Sequence, residues 1–540
     1  MDYDIVIKNG KIINGTGNPW FYGDIAINEE RITNIAPKLT EDAQHVINAK
    51  DLYISPGFID MHSHSDIVLP FNRKMESFIN QGITTAVCGM CGIGLAPVNQ
   101  ETIGYVKKSL SSFIPMIENY TFKWRSFEEY LDVMEKVRCP TNLCFFIPYS
   151  NIRIASGAAY EEREVTENEI EKMIHYIKKG MSSGAFGLST GLIYTPQTNA
   201  TTKELIRLCE AVASFNGLYF SHIRGEGKSL IKAVKEFVDI VEDSGVIGGQ
   251  IGHHKSSGKF NWGKSEESLR LIKEANERGL SITLDQYPYK RSMTSLITLL
   301  PPWVHEGGIS ELLERIKNPK IQEKIKTETQ KGSKTWENSI GENGFQNIYL
   351  AFASSQKWKI YEGKRISSIT KSEGFEDGWE TVFEILVAEE GGGTITEEAM
   401  CEEDVQRIMQ NRFQMFGTDG IGIPINPKLG KYHPRFYGTY PRILGTYVKE
   451  KQILSLEDAI RKMTSFPAQR LGLVDRGLIK ENFYADLVVF DFNKIRDKST
   501  YENPAQKPDG IEYVIINGEI VINQGKQQRK YPGKVLRKIN

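Results

Sequence analysis

Short apolar runs alternate with amphipathic segments through the middle of the chain. Apolar residues recur at helical spacing in the segments 170–177, 230–241 and 269–275, so each segment predicts a helix with one apolar face. Each of these helices is followed by a short apolar run, such as 249–252 or 281–284, that is typical of a buried strand. The repeated strand and helix unit predicts a parallel sheet with helices packed outside it.

The two ends of the chain show a different pattern, in which short strands are joined by tight turns. Asn9-Gly10 separates two apolar runs near the start, and Asn517-Gly518 separates two near the end. An Asn-Gly pair between apolar runs is a strong signal for a β-hairpin. Because neither set of strands is long enough to bury a face alone, we predict that the two termini pair with each other.

These patterns predict an α/β fold, a (β/α)8 TIM-like barrel with a small β-sandwich domain formed by both termini. The expected boundaries are 1–55 and 476–540 for the terminal domain and 56–475 for the barrel, with an insertion at about 290–347. An open doubly wound sheet is the competing architecture. The barrel is favoured because candidate ligands follow several successive strands, and a closed barrel brings strand ends to one point.

Composition and charge point to a small-molecule substrate. The 540 residues carry a formal net charge of −1 with both signs scattered, which gives no basic stripe for nucleic acid. Six sparse, irregularly spaced cysteines do not suggest a disulfide framework, so a cytoplasmic location is expected. The start lacks a signal-peptide pattern and no run approaches the roughly 18 apolar residues of a membrane span, so no membrane partner is expected. The sequence does not indicate the oligomeric state.

A histidine pair provides the first candidate chemistry. The apolar run 58–61 reads as a strand and leads into His62-Ser63-His64. Because side chains alternate along a strand, His62 and His64 project from the same face, close enough to bind one cation. Two histidines in a surface turn are the alternative interpretation, and the metal site is favoured by further candidate ligands downstream.

Those further candidates also follow predicted strands. Cys91 lies in a glycine-flanked turn, and because no second CxxC follows, a single thiolate is favoured over a complete structural zinc site. His222 ends one apolar run, and His253-His254 end the next. Asp419 follows another, where its carboxylate can serve as a metal ligand or a general base.

Together these motifs resemble the amidohydrolase superfamily and, more narrowly, the D-aminoacylases, which are N-acyl-D-amino-acid deacylases. The resemblance runs from about residue 3 to about residue 525. It rests on the histidine pair after Pro-Gly-Phe-Ile-Asp and on segments in the family's order, namely 89–92, 189–192, 221–224, 253–255, 285–289, 417–420 and 433–442. The chain departs from the family at Met90 and Thr418, where asparagine and serine are common.

The resemblance implies zinc-dependent hydrolysis of N-acyl-D-amino acids to a carboxylate and a D-amino acid. It implies a tight zinc site and a second, weakly occupied one, and the sequence does not decide whether one or two ions bind. The implied ligands are Cys91, His222 and His253 for the first site and His62 and His64 for the second, with His254 as the alternative to His253.

The resemblance also implies roles in catalysis and substrate binding. Asp419 is implied to take a proton from water and deliver it to the leaving amine. The residues implied to hold the α-carboxylate of the substrate are Lys255, Tyr289 and Arg435, with Ser295 as a fourth. A guanidinium pairs with a carboxylate through two hydrogen bonds, and a lysine adds a point charge.

Two other functions remain open at this point. A cyclic-amide hydrolase of the dihydroorotase or hydantoinase type uses the same scaffold and metal, although the three carboxylate-binding candidates favour an acyclic substrate. A non-catalytic amidohydrolase-like scaffold is the alternative from another class, and the presence of Asp419 and every implied ligand argues against it. The preferred side chain and acyl group are not indicated by the sequence.

Overall fold

The computed structural model describes residues 2–111, 115–161, 163–332 and 336–538. Its strands, in chain order, are β1 (Tyr3–Ile12), β2 (Phe21–Asn28), β3 (Arg31–Ala36), β4 (Ala43–Asn48), β5 (Tyr53–Pro56), β6 (Phe58–Asp60), β7 (Ile83–Cys88), β8 (Asn142–Phe145), β9 (Ile147–Pro148), β10 (Gly187–Gly191), β11 (Leu218–His222), β12 (Gly248–Ile251), β13 (Ile282–Gln286), β14 (Arg291–Ser295), β15 (Ile348–Phe352), β16 (Thr394–Glu398), β17 (Gln414–Phe416), β18 (Leu487–Phe490), β19 (Ile511–Ile516), β20 (Glu519–Asn523) and β21 (Lys526–Gln527).

The α-helices, in chain order, are α1 (Glu76–Ile79), α2 (Gln100–Leu110), α3 (Phe127–Val137), α4 (Tyr149–Ser156), α5 (Glu167–Ser182), α6 (Thr202–Ala213), α7 (Leu230–Ser244), α8 (Ser265–Glu277), α9 (Ile309–Ile316), α10 (Pro319–Lys331), α11 (Ser339–Asn343), α12 (Gln356–Lys359), α13 (Ile366–Glu373), α14 (Gly378–Ala388), α15 (Glu402–Gln410), α16 (Arg435–Arg442), α17 (Leu456–Met463) and α18 (Ser465–Leu471). Helix α16 continues directly into a π-helix, Ile443–Glu450. Within the described ranges, no helix combines the length and apolar character needed to cross a bilayer.

A closed barrel of parallel strands lies at the centre. Strands β6, β7 and β8 pair in parallel, and β9 to β13 pair in parallel and end at β17. Only Phe146 separates β8 from β9, and its N–H donates to the carbonyl of Cys88, so the two pieces continue as one barrel strand. The N–H of Met61 donates to the carbonyl of Phe416 across 3.2 Å and closes the ring between β17 and β6. The predicted barrel is confirmed.

The helices outside the barrel follow the predicted periodicity. Helix α5 buries Ile170, Met173 and Ile177 against the sheet, which are the positions that the sequence spaces at one helical face. It begins with a capping box, in which the Thr166 hydroxyl accepts the N–H of Glu169 and the Glu169 carboxylate accepts the N–H of Thr166. The same pattern explains α7 and α8, which bury their apolar stripes in the same way.

Both termini contribute to one hydrogen-bonded sheet. Its order is β21, β20, β19, β18, β5, β1, β2 and β3, with β4 paired to β1. Strand β5 pairs in parallel with β1 and antiparallel with β18, which joins the two ends of the chain. Ile7, Ile54 and Val489 lie fully buried in the core of this sheet. The β unit that the sequence predicts from the two termini is therefore present.

A large insertion separates β13 from β17. Strands β14, β16 and β15 form an antiparallel sheet, and helices α9 to α14 surround a separate core that includes Leu296, Trp358 and Ile395. This segment runs from Arg291 to Glu398, well past residue 347, where the sequence pattern ends it. Residues 333–335, within the expected insertion, lie outside the described residues. The insertion covers the carboxyl ends of the barrel strands and forms one wall of a cavity there.

Candidate metal centre and active site

The candidate site residues lie at the carboxyl ends of the barrel strands. In a barrel of parallel strands these ends meet at one face, which is where side chains from distant parts of the chain converge. The strand-end residues are His62 and His64 after β6, Cys91 after β7, His222 at the end of β11, His253 after β12 and Asp419 after β17. The structure thus brings together all six sequence candidates for metal binding and proton transfer.

Three of these residues adopt left-handed backbone conformations. The φ angles are 54° at Cys91, 33° at His253 and 46° at Asp419. Such conformations are unfavourable for residues with a side chain, by about 1–3 kcal/mol each, and persist only where surrounding contacts enforce them. The sharp turns direct each side chain from the strand end towards the axis of the barrel. Backbone strain therefore coincides with the candidate chemistry at three separate strand ends.

The Cys91 thiol lies at the centre of the group. Its Sγ is 3.2 Å from Nε2 of His62 and 3.6 Å from Nε2 of His253. Burial alone would raise the pKa of this thiol, but the two imidazoles more than offset burial and hold its pKa well below the ordinary value. Cys91 is therefore a thiolate at neutral pH, which is the form that binds metals.

Asp419 faces the histidine pair from the neighbouring strand. Its Oδ1 is 3.5 Å from Nε2 of His62 and 3.3 Å from Nε2 of His64. Burial opposes protonation of His64, yet hydrogen bonds to Asp419 and Cys91 raise its pKa to about 9. The ring centroids of the two histidines are 5.4 Å apart, so both reach the same carboxylate.

Glu226 connects the remaining two histidines with Lys255. Its carboxylate lies 3.4 Å from Nε2 of His222, 3.0 Å from Nδ1 of His253 and 2.6 Å from Nζ of Lys255. Burial would raise the pKa of Glu226, but His222, Lys255 and His253 lower it well below the ordinary value. This ionised carboxylate fixes the orientation of the His253 ring, so that Nε2 points towards Cys91.

Asp285 at the end of β13 orients the other side of the cluster. Its Oδ1 is 3.0 Å from Nδ1 of His62 and accepts the backbone N–H of His253 across 2.8 Å. With Nδ1 held by Asp285, Nε2 of His62 is directed at Cys91 and Asp419. His254, by contrast, places its Nε2 2.8 Å from the hydroxyl of Ser268 in α8, away from the cluster. The geometry thus favours His253 over His254 as the candidate ligand.

The donor set fits a zinc ion. Three overlapping groups have ligand atoms within 4.8 Å of one another, namely His62 with Cys91 and His253, His62 with His64 and Asp419, and His222 with Glu226 and His253. A thiolate with several imidazoles is the type of ligand set that zinc prefers. Both ring nitrogens of His222 are buried and make no hydrogen bond within the described structure. Burial also lowers the pKa of this imidazole, so the ring is neutral. A buried neutral imidazole without a hydrogen bond is suited to metal coordination.

A cavity of about 220 Å³ opens over the cluster, and Arg435 projects into it. The Nη2 of Arg435 lies 2.9 Å from Oδ2 of Asp419, and its Cζ lies 4.6 Å from the ring centroid of Tyr287. Among described groups, the Nε and Nη1 atoms of Arg435 and the Tyr287 hydroxyl have no hydrogen-bond partner. Lys255 and Ser295 line the same cavity. Arg435 and Tyr287 thus present free donors to an anion beside the candidate metal ligands, and Lys255, whose Nζ is paired with Glu226, adds a positive charge.

Tyr289, expected from the sequence to bind substrate, does not reach this cavity in the described structure. Its hydroxyl donates to Oδ2 of Asp497 across 3.1 Å, and the Arg442 guanidinium lies 4.9 Å from its ring centroid. The N–H of Tyr289 donates to the carbonyl of Tyr287, which closes a tight turn around Pro288 and breaks the strand alternation. The structure thus corrects the placement, because Tyr287 and not Tyr289 faces the site.

Sequence reasoning assigned no role to Glu226, Asp285 or Tyr287. Glu226 lies four residues after His222, and Asp285 and Tyr287 lie in the segment 285–289 that also contains Tyr289. The available signal for Asp285 is its position directly after the predicted strand 281–284. No pattern around Glu226 predicts that its carboxylate contacts His253 and Lys255, because that contact depends on the adjacency of β11 and β12.

Comparison with known proteins gives full-length matches. The profile of a family described as the amidohydrolase family matches residues 327–522. The chain is 30% identical over 537 residues to the D-aminoacylase of Alcaligenes xylosoxydans xylosoxydans, covering 99% of this chain and 97% of that protein. It is also 30% identical over 537 residues to the N-acyl-D-glutamate deacylase of the same organism, covering 99% and 96%.

Solved structures agree with these matches. The N-acyl-D-glutamate deacylase of Bordetella bronchiseptica, in complex with zinc and a phosphonate mimic of the tetrahedral intermediate, superposes with a TM-score of 0.83 at 28% identity, covering 99% of this chain and 100% of that one. A D-aminoacylase crystal structure gives a TM-score of 0.81 at 29% identity, with coverage of 99% and 100%. A D-hydantoinase of Thermus gives 0.55 at 16% identity, with 99% of each chain covered, which is a likeness of fold alone.

Proposed function

Because the chain belongs to the D-aminoacylase family of the amidohydrolases, we propose that it hydrolyses the amide bond of N-acyl-D-amino acids to a carboxylate and a D-amino acid. The observation that carries the proposal is the position of Asp419, whose Oδ1 lies 3.3 Å from His64 and whose Oδ2 lies 2.9 Å from Arg435. One carboxylate thus lies between the candidate metal ligands and the candidate group for binding an anion.

We propose that the enzyme depends on zinc. Cys91, His222 and His253 are the proposed ligands of the tight site, and His62 and His64 are the proposed ligands of a second, weaker site. Zinc, when bound, supplies Lewis acidity that polarises an amide carbonyl and makes water more acidic. The thiolate form of Cys91 and the neutral form of His222 support these assignments, because metal ligands must bind in deprotonated form.

Asp419 is the proposed general base and general acid. Burial would raise its pKa, but Arg435, His62 and His253 keep that pKa well below the ordinary value, so the carboxylate is ionised at neutral pH. It accepts a proton from the attacking water and then donates it to the nitrogen of the departing amine. The Oδ1 atom faces the histidines, so this is the oxygen proposed to handle the proton.

The α-carboxylate of the substrate is proposed to bind Arg435, Lys255 and Ser295, with Tyr287 in the place that the sequence assigned to Tyr289. A guanidinium with two free N–H groups matches a carboxylate in geometry, and Lys255 adds a second positive charge. With the carboxylate held here and the scissile carbonyl at the metal ligands, two substituents of Cα are fixed in space. The third substituent then distinguishes the D from the L enantiomer.

A cyclic-amide hydrolase is the second candidate, and it rests on the likeness of fold to hydantoinases. The free donors of Arg435 and Tyr287 favour a substrate with a free carboxylate, which the acyclic compounds supply beside the scissile amide. We further propose a cytoplasmic location, which the free state of all six cysteines supports. The partner is proposed to be a small molecule and not a nucleic acid.

The test is amine release from paired N-acetyl-D- and N-acetyl-L-amino acids of methionine, leucine and glutamate, with zinc-loaded and chelator-treated enzyme. Zinc-dependent release from the D series alone is the expected result. Release from hydantoins or dihydroorotate with none from the acyl compounds would replace the proposal with the cyclic-amide alternative. If the protein carries no metal and releases nothing from any of these compounds, the non-catalytic alternative is correct.

A further inference from the structure

One part of the cavity, which we call the apolar arm, is lined mainly by uncharged side chains. They come from three segments of the chain: the loop and helix after β7, the residues after β10, and the start of the insertion. The apolar members include Ile93, Leu110, Ile193, Leu300, Ile309 and Leu312. His305, also in this lining, is neutral because burial lowers its pKa to about 4. The arm therefore offers an apolar environment beside a strongly polar reaction centre.

The insertion closes this arm against the barrel. Lys108 of α2 donates to the hydroxyl of Ser310 in α9 across 2.7 Å, which joins the outer ends of the two helices. The rings of Tyr105 and Tyr160 contact each other with centroids 6.1 Å apart. A Cβ at Gly308 would lie 3.6 Å from the ring of Tyr160, so the backbone of the insertion packs against that ring. These contacts join the insertion to the barrel along this part of the cavity.

The arm begins at the candidate metal ligands. Tyr194, which directly follows the arm residue Ile193, contacts His222 edge to face with ring centroids 5.2 Å apart. The N–H of Leu192 donates to the carbonyl of His222 across 2.9 Å, and Ile93 lies two residues after Cys91. On the other side, Lys255 contacts Glu226, whose N–H donates to the carboxylate of Glu337 across 2.8 Å. Lys255, one of the groups proposed to bind the α-carboxylate, thus adjoins a carboxylate-lined wall rather than the apolar arm.

Substrate connectivity decides which group enters the arm. The acyl chain is bonded to the scissile carbonyl carbon, which must lie at the metal ligands, whereas the side chain is bonded to Cα, two bonds closer to the bound carboxylate. We propose that the apolar arm binds the acyl chain, and that the preferred substrates are N-acyl-D-amino acids whose uncharged acyl group is longer than acetyl. This inference rests on the proposed function and specifies its substrate class.

The test compares acetyl, butyryl, hexanoyl and octanoyl derivatives of one D-amino acid with the zinc-loaded full-length enzyme. Burial of one methylene in an apolar site corresponds to about a fourfold gain, so kcat/KM is expected to rise by about that factor per carbon until the arm is filled. A kcat/KM that stays level or falls from acetyl to octanoyl overturns the inference, while hydrolysis of the acetyl compound keeps the proposed function.

Two variants of Ile309, a partly exposed residue of the arm, test whether the preference for longer acyl chains arises in the arm. Ile309→Trp is expected to reduce kcat/KM for the octanoyl substrate at least tenfold while leaving the acetyl substrate within about twofold. Ile309→Asn is expected to reduce the increase in kcat/KM per added carbon of the acyl chain. Ile360→Asn, on an exposed apolar residue of the same insertion, is the matched control and should leave the series unchanged. Equal loss for all acyl lengths in both Ile309 variants would overturn the assignment.

A binding measurement keeps the inference testable if turnover is absent. N-alkylsulfonyl-D-amino acids, from methyl to octyl, resemble the substrates but resist hydrolysis. Titration calorimetry should show affinity that increases with chain length and a heat-capacity change that becomes more negative, which is the signature of apolar burial. Affinity that is independent of chain length contradicts the inference whatever the activity of the enzyme.

Discussion

Arg435 lies against Asp419, with Nη2 2.9 Å from Oδ2, and both side chains are buried at the mouth of the barrel. Burial alone would raise the pKa of Asp419, and Arg435 is the largest of the influences that reverse this effect. The same guanidinium retains two nitrogen atoms, Nε and Nη1, without a partner among the described groups. One arginine is thus arranged both to keep the proposed base ionised and to bind the carboxylate of the substrate.

Removing this guanidinium should therefore change both affinity and pH dependence. In Arg435→Met, kcat/KM for N-acyl-D-amino acids is expected to fall by about 10- to 100-fold, as for loss of a charged hydrogen bond. The pKa of Asp419 should rise, and because the base acts when deprotonated, the acidic limb of kcat/KM should move to higher pH. Arg442→Met, which removes an ion pair to Asp497 of 3.5 Å, is the control. An acidic limb that does not move would show that Arg435 does not act on the base.

The proton-transfer role of Asp419 has its own test. Asp419→Asn keeps the shape of the side chain but removes its basicity, so kcat is expected to fall by about 10²- to 10⁴-fold. The tight metal should remain, because Cys91, His222 and His253 are unchanged, and metal analysis can verify this. Asp497→Asn alters a carboxylate that pairs with Tyr289 instead, and should keep kcat. Near-normal kcat in Asp419→Asn would exclude the proposed role.

The ligand assignment predicts opposite results for two histidines. Neither ring nitrogen of His222 makes a hydrogen bond within the described structure, so His222→Asn should fold yet lose tightly bound zinc after dialysis. His254 contacts Ser268 instead of the cluster, so His254→Asn should keep the metal and lose some stability. Metal content by mass spectrometry and thermal unfolding give the two readouts. Retention of zinc by His222→Asn together with loss by His254→Asn would reverse the assignment.

The two tyrosines of the segment 285–289 make a matched pair. Tyr287→Phe removes a hydroxyl without a partner in the described structure, so it should raise KM for D substrates by about 3- to 15-fold without loss of stability. Tyr289→Phe removes a hydrogen bond to Asp497 and should lower the free energy of unfolding by about 1 kcal/mol while leaving KM unchanged. If Tyr289→Phe alone raises KM, the placement of Tyr289 outside the cavity is contradicted.

Glu337 should make stability depend on pH. Burial, with repulsion from Glu226 and Glu342, raises the pKa of Glu337 to about 8, against 4.5 as the ordinary value. Between these two values the folded protein holds a proton that the unfolded chain has lost, so stability decreases as pH rises through this window. Glu337→Gln should remove this loss of stability. The free energy of unfolding of the variant should exceed that of the original protein by an amount that grows by at most about 1.4 kcal/mol per pH unit. Urea unfolding at pH 5 and pH 8.5 checks this, with the exposed Glu314→Gln as control; parallel pH profiles would contradict it.

The sequence predicts the features that depend on local periodicity. The barrel strands and the helix over 170–177 follow from apolar spacing, and the convergence of His62, Cys91 and Asp419 follows from their places at strand ends. It fails where one turn redirects a side chain, as the turn around Pro288 does for Tyr289. The sequence pattern also ends the insertion too early. A helix such as α14, with one apolar face, has the same sequence pattern whether it packs on the barrel or on the separate core of the insertion.

The terminal sheet also has a consequence for biosynthesis. Strand β5 is bonded on one side to β1 and on the other to β18, so its second edge stays open until the segment Leu487–Phe490 has been made. While the barrel is being synthesised, the ribosome-bound chain therefore carries an unpaired edge on β5, a strand that is mostly buried in the folded protein. Unpaired strand edges can pair with other chains. We expect prematurely terminated chains to keep that edge exposed and to be captured by chaperones or proteases. Pairing with β18 thereby removes the open edge of β5 only after the barrel has been synthesised.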